Sequence, residues 1–173
     1  MALLNTTGSA ADDDRKLIPA SFKIVARYGA GYSTWKSWRH TITGDGNVVK
    51  EVFSIKKTRI LGDGNVVKNV FGLGTTKEET KLPEDDLRAL IAKIEEADFF
   101  TLRKRYTHGV TDNPTLILTI TLDRKAHEVM VYAPGFLRDD QEVKRFLKVW
   151  SEVLRKVPPP NSDQKPDLYL DKP

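Results

Sequence analysis

Apolar and polar residues alternate along several stretches of the chain, which is the pattern of β-strands with one buried face. The clearest stretch is 116–122, where Leu116, Leu118 and Ile120 alternate with threonines and Ile117. Glycine- or proline-containing segments bound most of these stretches and interrupt the strands. The pattern predicts strands near residues 22–28, 37–42, 48–54, 57–61, 66–71, 116–122 and 127–132.

Two other segments carry apolar residues at helical spacing. The first helix is predicted to start at Pro83, with Leu87, Leu90, Ile91 and Ile94 on one stripe, and to end at Asp98. The second is predicted from Leu137 to Lys156. The order of strands, helix, strands and helix indicates an α+β fold. We expect an antiparallel meander sheet, with one helix packed on it after the first strands and a second, C-terminal helix.

A near-identical echo lies inside the strand region. Residues 42–53 read ITGDGNVVKEVF and residues 60–71 read ILGDGNVVKNVF, identical at ten of twelve positions with an offset of eighteen residues. Asp-Gly favours a tight hairpin turn in which both central residues have positive φ. The echo therefore predicts a duplicated β-hairpin, and calcium binding is disfavoured because each turn offers too few oxygen ligands.

The composition of the two ends predicts three regions. Residues 1–17 are small, polar and acidic, which predicts a flexible arm, and residues 158–173 form a proline-rich tail. The domain itself is expected at 18–157, including both hairpins. The apolar tip of the tail is a candidate contact for a partner, formed by Leu168, Tyr169 and Leu170.

Charge and cysteine content narrow the function classes. The net charge is only +4 and the chain has no cysteine, which excludes disulfides, thiolate metal sites and cysteine nucleophiles. No export signal or membrane span is visible, which favours a soluble, cytoplasmic protein. The oligomeric state stays open.

The candidate chemistry is sparse. We expect no catalytic residue, cofactor or metal site, because the histidines lack further ligands at suitable spacing. One loop could form a small polar site from Tyr106, His108 and Asp112. The alternative is that the loop is a structural turn before Pro114.

Basic residues cluster at two places that could contact a partner. Lys56, Lys57 and Arg59 form one cluster, and residues 103–105 form the other. Trp35 and Trp38 are nearby in sequence, and their rings are candidates for stacking on the bases of a nucleic acid. The small charge excess makes nucleic acid a weak candidate and favours a protein partner.

Four fragments in order are similar to a bacterial family of small domains of unknown function. They read ITGDGNVV, EADFFTLRKRY, GVTDNPTLILTITL and VMVYAP, and the similarity covers residues 22–155. The resemblance implies a small domain, often exported or lipid-anchored, without an established activity. If the natural N-terminus was trimmed from this sequence, the resemblance implies an exported protein. Family members often carry a cysteine pair where this chain reads GAGYSTWKSW, and usually one Gly-Asp-Gly hairpin before the helix. The second hairpin thus resembles an insertion.

Three functions remain as hypotheses. The first is a non-catalytic binding or scaffold module, a subunit or accessory protein of a larger assembly, that contacts partners through its tails and extra hairpin. The second is a small-ligand or enzymatic domain that uses the Tyr106–Asp112 loop. The third is weak nucleic-acid binding through the basic clusters.

Overall fold

The alternating stretches form one seven-stranded sheet. The computed structural model describes residues 17–31, 36–61 and 67–160, and for 55–61 and 67–73 it describes the backbone alone. In chain order the strands are β1 (Lys23–Gly29), β2 (Ser37–Thr43), β3 (Asn47–Leu61), β4 (Val67–Lys81), β5 (Arg105–Tyr106), β6 (Thr115–Leu122) and β7 (Lys125–Tyr132). They lie in the order β4-β3-β2-β1-β6-β7-β5, with only β5 parallel to its neighbour. Together with two α-helices, this sheet confirms the predicted α+β class.

The two helices are α1 (Glu84–Glu96) and α2 (Gln141–Lys156). Pro83 caps α1, and three acidic residues follow it in the first turn, where the helix dipole favours negative charge. The predicted start of α2 at Leu137 was too early. Pro134–Phe136 form a separate 3-10 turn, and α2 begins only after Asp140.

The core lies between the helices and one face of the sheet, which we call the inner face. Alternate residues of β1, β2, β6 and β7 join the apolar stripes of both helices in a single buried cluster. At its centre Trp38 of β2 stacks on Trp150 of α2, with 5.5 Å between the ring centroids. Phe99, just after α1, is fully buried in the same cluster. The outer face is half-buried and carries ion pairs such as Arg39–Glu51.

The first Gly-Asp-Gly turn differs from the prediction. It is a three-residue loop between β2 and β3 in which only Gly46 has positive φ, at +85°. The Asp45 carboxylate accepts hydrogen bonds from the Thr43 hydroxyl (2.6 Å) and the Asn47 N–H (3.2 Å), and it thereby ties the strand ends together. A type I turn followed by a left-handed glycine suits this loop length. Two consecutive positive φ values occur instead at Asp123 and Arg124, between β6 and β7.

The second echo does not build a separate hairpin in the way the sequence suggested. β3 runs without a break from Asn47 to Leu61, and β4 continues past residue 71 to Lys81. Residues 62–65, the second GDGN, lie outside the described residues. Beyond Phe53, which pairs with the start of β2, residues 54–61 pair only with 67–74 among the described strands. We call this two-stranded extension, 54–61 and 67–74, the arm.

The start of α2 depends on one side chain. The Asp140 Oδ1 accepts hydrogen bonds from the N–H groups of Glu142 (2.8 Å) and Val143 (3.1 Å). We expect Asp140→Ala to lower the free energy of unfolding by about 1 kcal/mol, because two helix N–H groups lose their acceptor. Asp140→Asn keeps an acceptor and should cost less than about 0.5 kcal/mol. Urea unfolding of both variants measures the difference, and equal stabilities would contradict the capping role.

Candidate functional site

Of the predicted site residues Tyr106, His108 and Asp112, the first two make separate side-chain contacts in the structure. No hydrogen bond or ion pair joins these three side chains to one another in the described part of the chain. His108 is exposed, and its ring stacks on Phe136 with 5.0 Å between centroids. Asp112 is exposed and has a φ of +63°. Whether the three residues act together as a site stays a prediction.

Tyr106 instead connects β5 to the start of α2. It is 4% exposed, and its hydroxyl accepts a hydrogen bond from the Arg103 N–H (2.8 Å) and donates one to Glu142 (3.0 Å). The Arg103 guanidinium also bonds Glu142 (2.7 Å) and lies over the Tyr106 ring. The hydrogen bonds from Arg103 and Tyr106 lower the pKa of Glu142. The hydroxyl thus has both its hydrogen-bonding roles filled by protein groups.

Asp112 offers a test of whether the loop is a turn or a site. A left-handed backbone costs a residue with a Cβ about 1 kcal/mol or more, and Asp tolerates it better than Ala. We expect Asp112→Ala to lower the free energy of unfolding by about 1 kcal/mol and Asp112→Gly to leave it unchanged or slightly higher. Urea unfolding separates the two. A loss of stability in both variants would show that the carboxylate itself holds the loop.

The predicted partner-binding residues fall in three places. Trp38 is 1% exposed and lies in the core, so it offers no surface to a partner. Lys56, Lys57 and Arg59 lie on the β3 strand of the arm. The others, Trp35 and residues 168–170, lie outside the described residues. Whether any of these residues contacts a partner stays a prediction.

The arm leaves backbone edges without a neighbouring strand. β2 begins at Ser37, opposite Phe53, so residues 54–61 of β3 have β4 on one side and no described strand on the other. β4 is the edge strand of the sheet along its whole length. An edge strand presents N–H and C=O groups that can pair with another chain.

A second candidate site centres on His40, which belongs to no motif in the sequence. This residue is fully buried on the inner face of β2, and its ring stacks on Trp38 with 4.3 Å between centroids. Neither ring nitrogen has a hydrogen-bond partner among the described residues. A buried polar group without a partner costs about 1–3 kcal/mol. His40 therefore lowers the stability of the fold as long as its ring nitrogens have no partner.

His40 belongs to a row of side chains across three strands. Lys50 of β3 is its cross-strand partner, and Glu78 of β4 is the partner of Lys50. The Lys50 ammonium pairs with the Glu78 carboxylate at 3.3 Å. The alternation of Val48, Lys50 and Val52 was the one sequence signal, because it places a lysine at an inner-face position.

The row opens into a cavity of about 330 Å³. Residues of β2, β3 and β4 form one part of its lining, and the segment Pro158–Pro160, which follows α2, forms the other. His40, Lys50 and Glu78 supply most of the polar groups, and Val52 and the prolines supply apolar surface. The lining consists of His40, Lys50, Val52, Thr76, Lys77, Glu78 and Pro158–Pro160.

Burial, aided by the positive charge of Lys50, lowers the pKa of His40 to about 4. The ring is therefore neutral at neutral pH and has one N–H donor and one acceptor nitrogen. Between the usual pKa of 6.5 and the folded value near 4, the unfolded chain takes up a proton that the folded chain does not. Lowering the pH from 6.5 to about 4 therefore favours unfolding. At lower pH both states are protonated at His40, so its contribution to the free energy of unfolding no longer changes.

This pKa shift makes stability depend on pH. We expect the free energy of unfolding to fall by about 2–3 kcal/mol more in the wild type than in His40→Phe between about pH 7.5 and pH 4.5. Phenylalanine keeps the ring on Trp38 and cannot titrate. The carboxylates, His108 and His127 are common to both proteins, so urea unfolding at each pH isolates His40. Parallel pH profiles would contradict a neutral buried imidazole.

Metal and membrane features add no further site. Within the described ranges, no group of three or more His, Asp or Glu side chains is placed to hold a metal ion. The two helices that the structure describes are too short or too polar to cross a membrane.

Comparison with known families classifies the chain. The family model described as a domain of unknown function, DUF6438, matches residues 39–154, more than half of the chain. The fold is thus an α+β domain with a mostly antiparallel sheet, and the chain belongs to the DUF6438 family. A comparison with curated proteins found no match for it. The matched residues include both copies of the echo, and the family description names no activity.

Proposed function

We propose that the protein is a non-catalytic binding module, a subunit or accessory protein of a larger assembly, and that the arm is its main contact with a protein partner. The observation that carries this proposal is the arm's geometry, in which two strands extend past the sheet and leave backbone edges unpaired by any described strand. An extended segment of a partner can add to such an edge through main-chain hydrogen bonds.

The composition of β4 supports the arm as the contact. The part of β4 next to the domain, residues 75–81, reads TTKEETK and carries Lys77, Glu78, Glu79 and Lys81. Charged residues on an edge strand discourage pairing with other chains. The part in the arm, residues 67–74, reads VKNVFGLG and has Lys68 as its one charged residue. The protection of the edge therefore weakens where the strand leaves the domain.

The alternatives have less support. The enzymatic hypothesis needs Tyr106 and Asp112 to act together, whereas the Tyr106 hydroxyl is occupied by Arg103 and Glu142. In the second basic cluster, Arg103 pairs with Glu142 and Asp140, which reduces the charge available to a nucleic-acid phosphate.

The register of β3 and β4 allows a single deletion to remove the arm. Phe53 and Thr75 are cross-strand partners. Deleting residues 54–71, eighteen residues and one period of the echo, leaves Gly72-Leu73-Gly74 between them. A three-residue loop with glycine is a common hairpin connection. We expect the deletion variant to keep its circular dichroism spectrum and to unfold cooperatively, with a free energy of unfolding within about 1 kcal/mol of the wild type.

The same variant tests the contact. Proteins that co-purify with the tagged wild type from its native source, identified by mass spectrometry, should be lost from the deletion variant. Phe71→Lys places a charge on the arm's edge strand and should weaken the same contact, whereas Thr75→Lys, outside the arm, should not. A deletion variant that unfolds, or that keeps every partner, would overturn the proposal. A wild-type dimer that becomes monomeric on deletion would show that the arm pairs with a second copy instead.

A further inference from the structure

We propose that the cavity between His40, Lys50 and Pro158–Pro160 is a binding site for a small organic carboxylate with an apolar body. This goes beyond the contact made by the arm, because no residue that lines the cavity belongs to the arm. The two proposals can therefore fail separately.

The first argument is the unmet hydrogen-bonding capacity of His40. Both ring nitrogens are buried and lack a hydrogen-bond partner among the described residues, yet the ring lines the cavity. Buried polar atoms almost always have a partner, and exceptions call for an explanation. A ligand oxygen that accepts a hydrogen bond from the N–H of His40 would explain why the protein supplies no partner for that group.

The second argument is charge. Lys50 follows His40 in the cross-strand row, with its side chain 22% exposed, so a cation stands beside the neutral imidazole. Its counter-ion, Glu78, is 64% exposed and is 3.3 Å away, which is a loose and mostly solvated pair. An incoming carboxylate can replace Glu78 at Lys50, because water solvates the displaced Glu78 side chain. A ligand cation would meet Lys50 and be repelled.

The third argument is the shape and lining of the cavity. Its volume of about 330 Å³ is at the lower end of the range for small-molecule sites. Val52 and the three prolines give apolar walls of the kind that such sites use, and the polar side chains of the row can orient the ligand. A carboxylate at Lys50 thus places its apolar body against the proline wall.

Entry requires one wall to move, since His40 is fully buried in this arrangement. Pro158–Pro160 is the wall that belongs to no helix or strand, and Pro158 and Pro160 are exposed. The sheet wall is held by the β3–β4 ladder and by the core beneath it. The proline segment is therefore the part that shifts on binding.

Benzoate is a suitable probe, and benzamide is its uncharged counterpart. Calorimetric titration of the full-length protein with benzoate should give saturable binding at one site, and benzamide should bind about tenfold or more weakly, as expected when a charged hydrogen bond is lost. In NMR spectra, benzoate should shift the ring signals of His40 and leave those of His108 and His127 in place. The deletion of residues 54–71 should not change the affinity.

Matched lysine variants decide the role of the row. Lys50→Met keeps the length of the side chain and should weaken benzoate binding about tenfold or more. Lys81→Met is the control, because Lys81 is an exposed lysine of β4 that does not line the cavity; the benzoate affinity of this variant should stay within about twofold. A titration that never saturates, equal weakening in both lysine variants, or shifts confined to His108 would overturn the proposal and leave His40 as a packed histidine only.

Discussion

The packing of α2 against the inner face of the sheet holds the core of the domain together. Trp38 and Trp150 meet there at 5.5 Å, with Phe146 stacked behind Trp150 and His40 stacked beside Trp38. A sheet with one apolar face must bury that face against other elements, and here the two helices provide the cover. The same contact forces His40 into the core, because it follows Trp38 on the same face of β2. The cavity exists where the cover by α2 ends and the prolines begin.

The echo changes the molecule at one edge without disturbing this packing. Phe53 and Thr75 face each other across β3 and β4, and the residues between them extend both strands equally. An insertion that lengthens two paired strands together keeps the register of everything before and after it, so every side chain stays on its own face. The duplicated stretch therefore becomes an arm outside the core, and the row of His40, Lys50 and Glu78 lies on the domain side of it.

Local sequence patterns predicted most of the helices and strands. They failed where long-range strand pairing sets the structure. The alternation in β1, β2 and β6 and the stripes of α1 and α2 were readable, because burial on one face imposes a period on the sequence. The break expected near residues 54–57 was absent, since pairing with β4 carries β3 through it. The turn at Gly44–Gly46 was assigned the wrong geometry, because the hydrogen bonds of the Asp45 side chain, and not the Asp-Gly pair alone, set its shape. Tyr106 and His108 lie close in sequence, but their side chains contact different elements, Glu142 of α2 and Phe136.

The residues alone predict the α+β class, the family resemblance, the two helices and the position of the duplication. These follow from composition and from periods of two and 3.6 residues, which are local properties of the chain. Long-range packing and strand pairing establish that Trp38 is a core residue and not a surface residue, and that the second echo forms an arm. They also bring His40 to the same cavity as Lys50 and Pro158–Pro160. Those residues are far apart in sequence, and only strand register and the end of α2 bring them together.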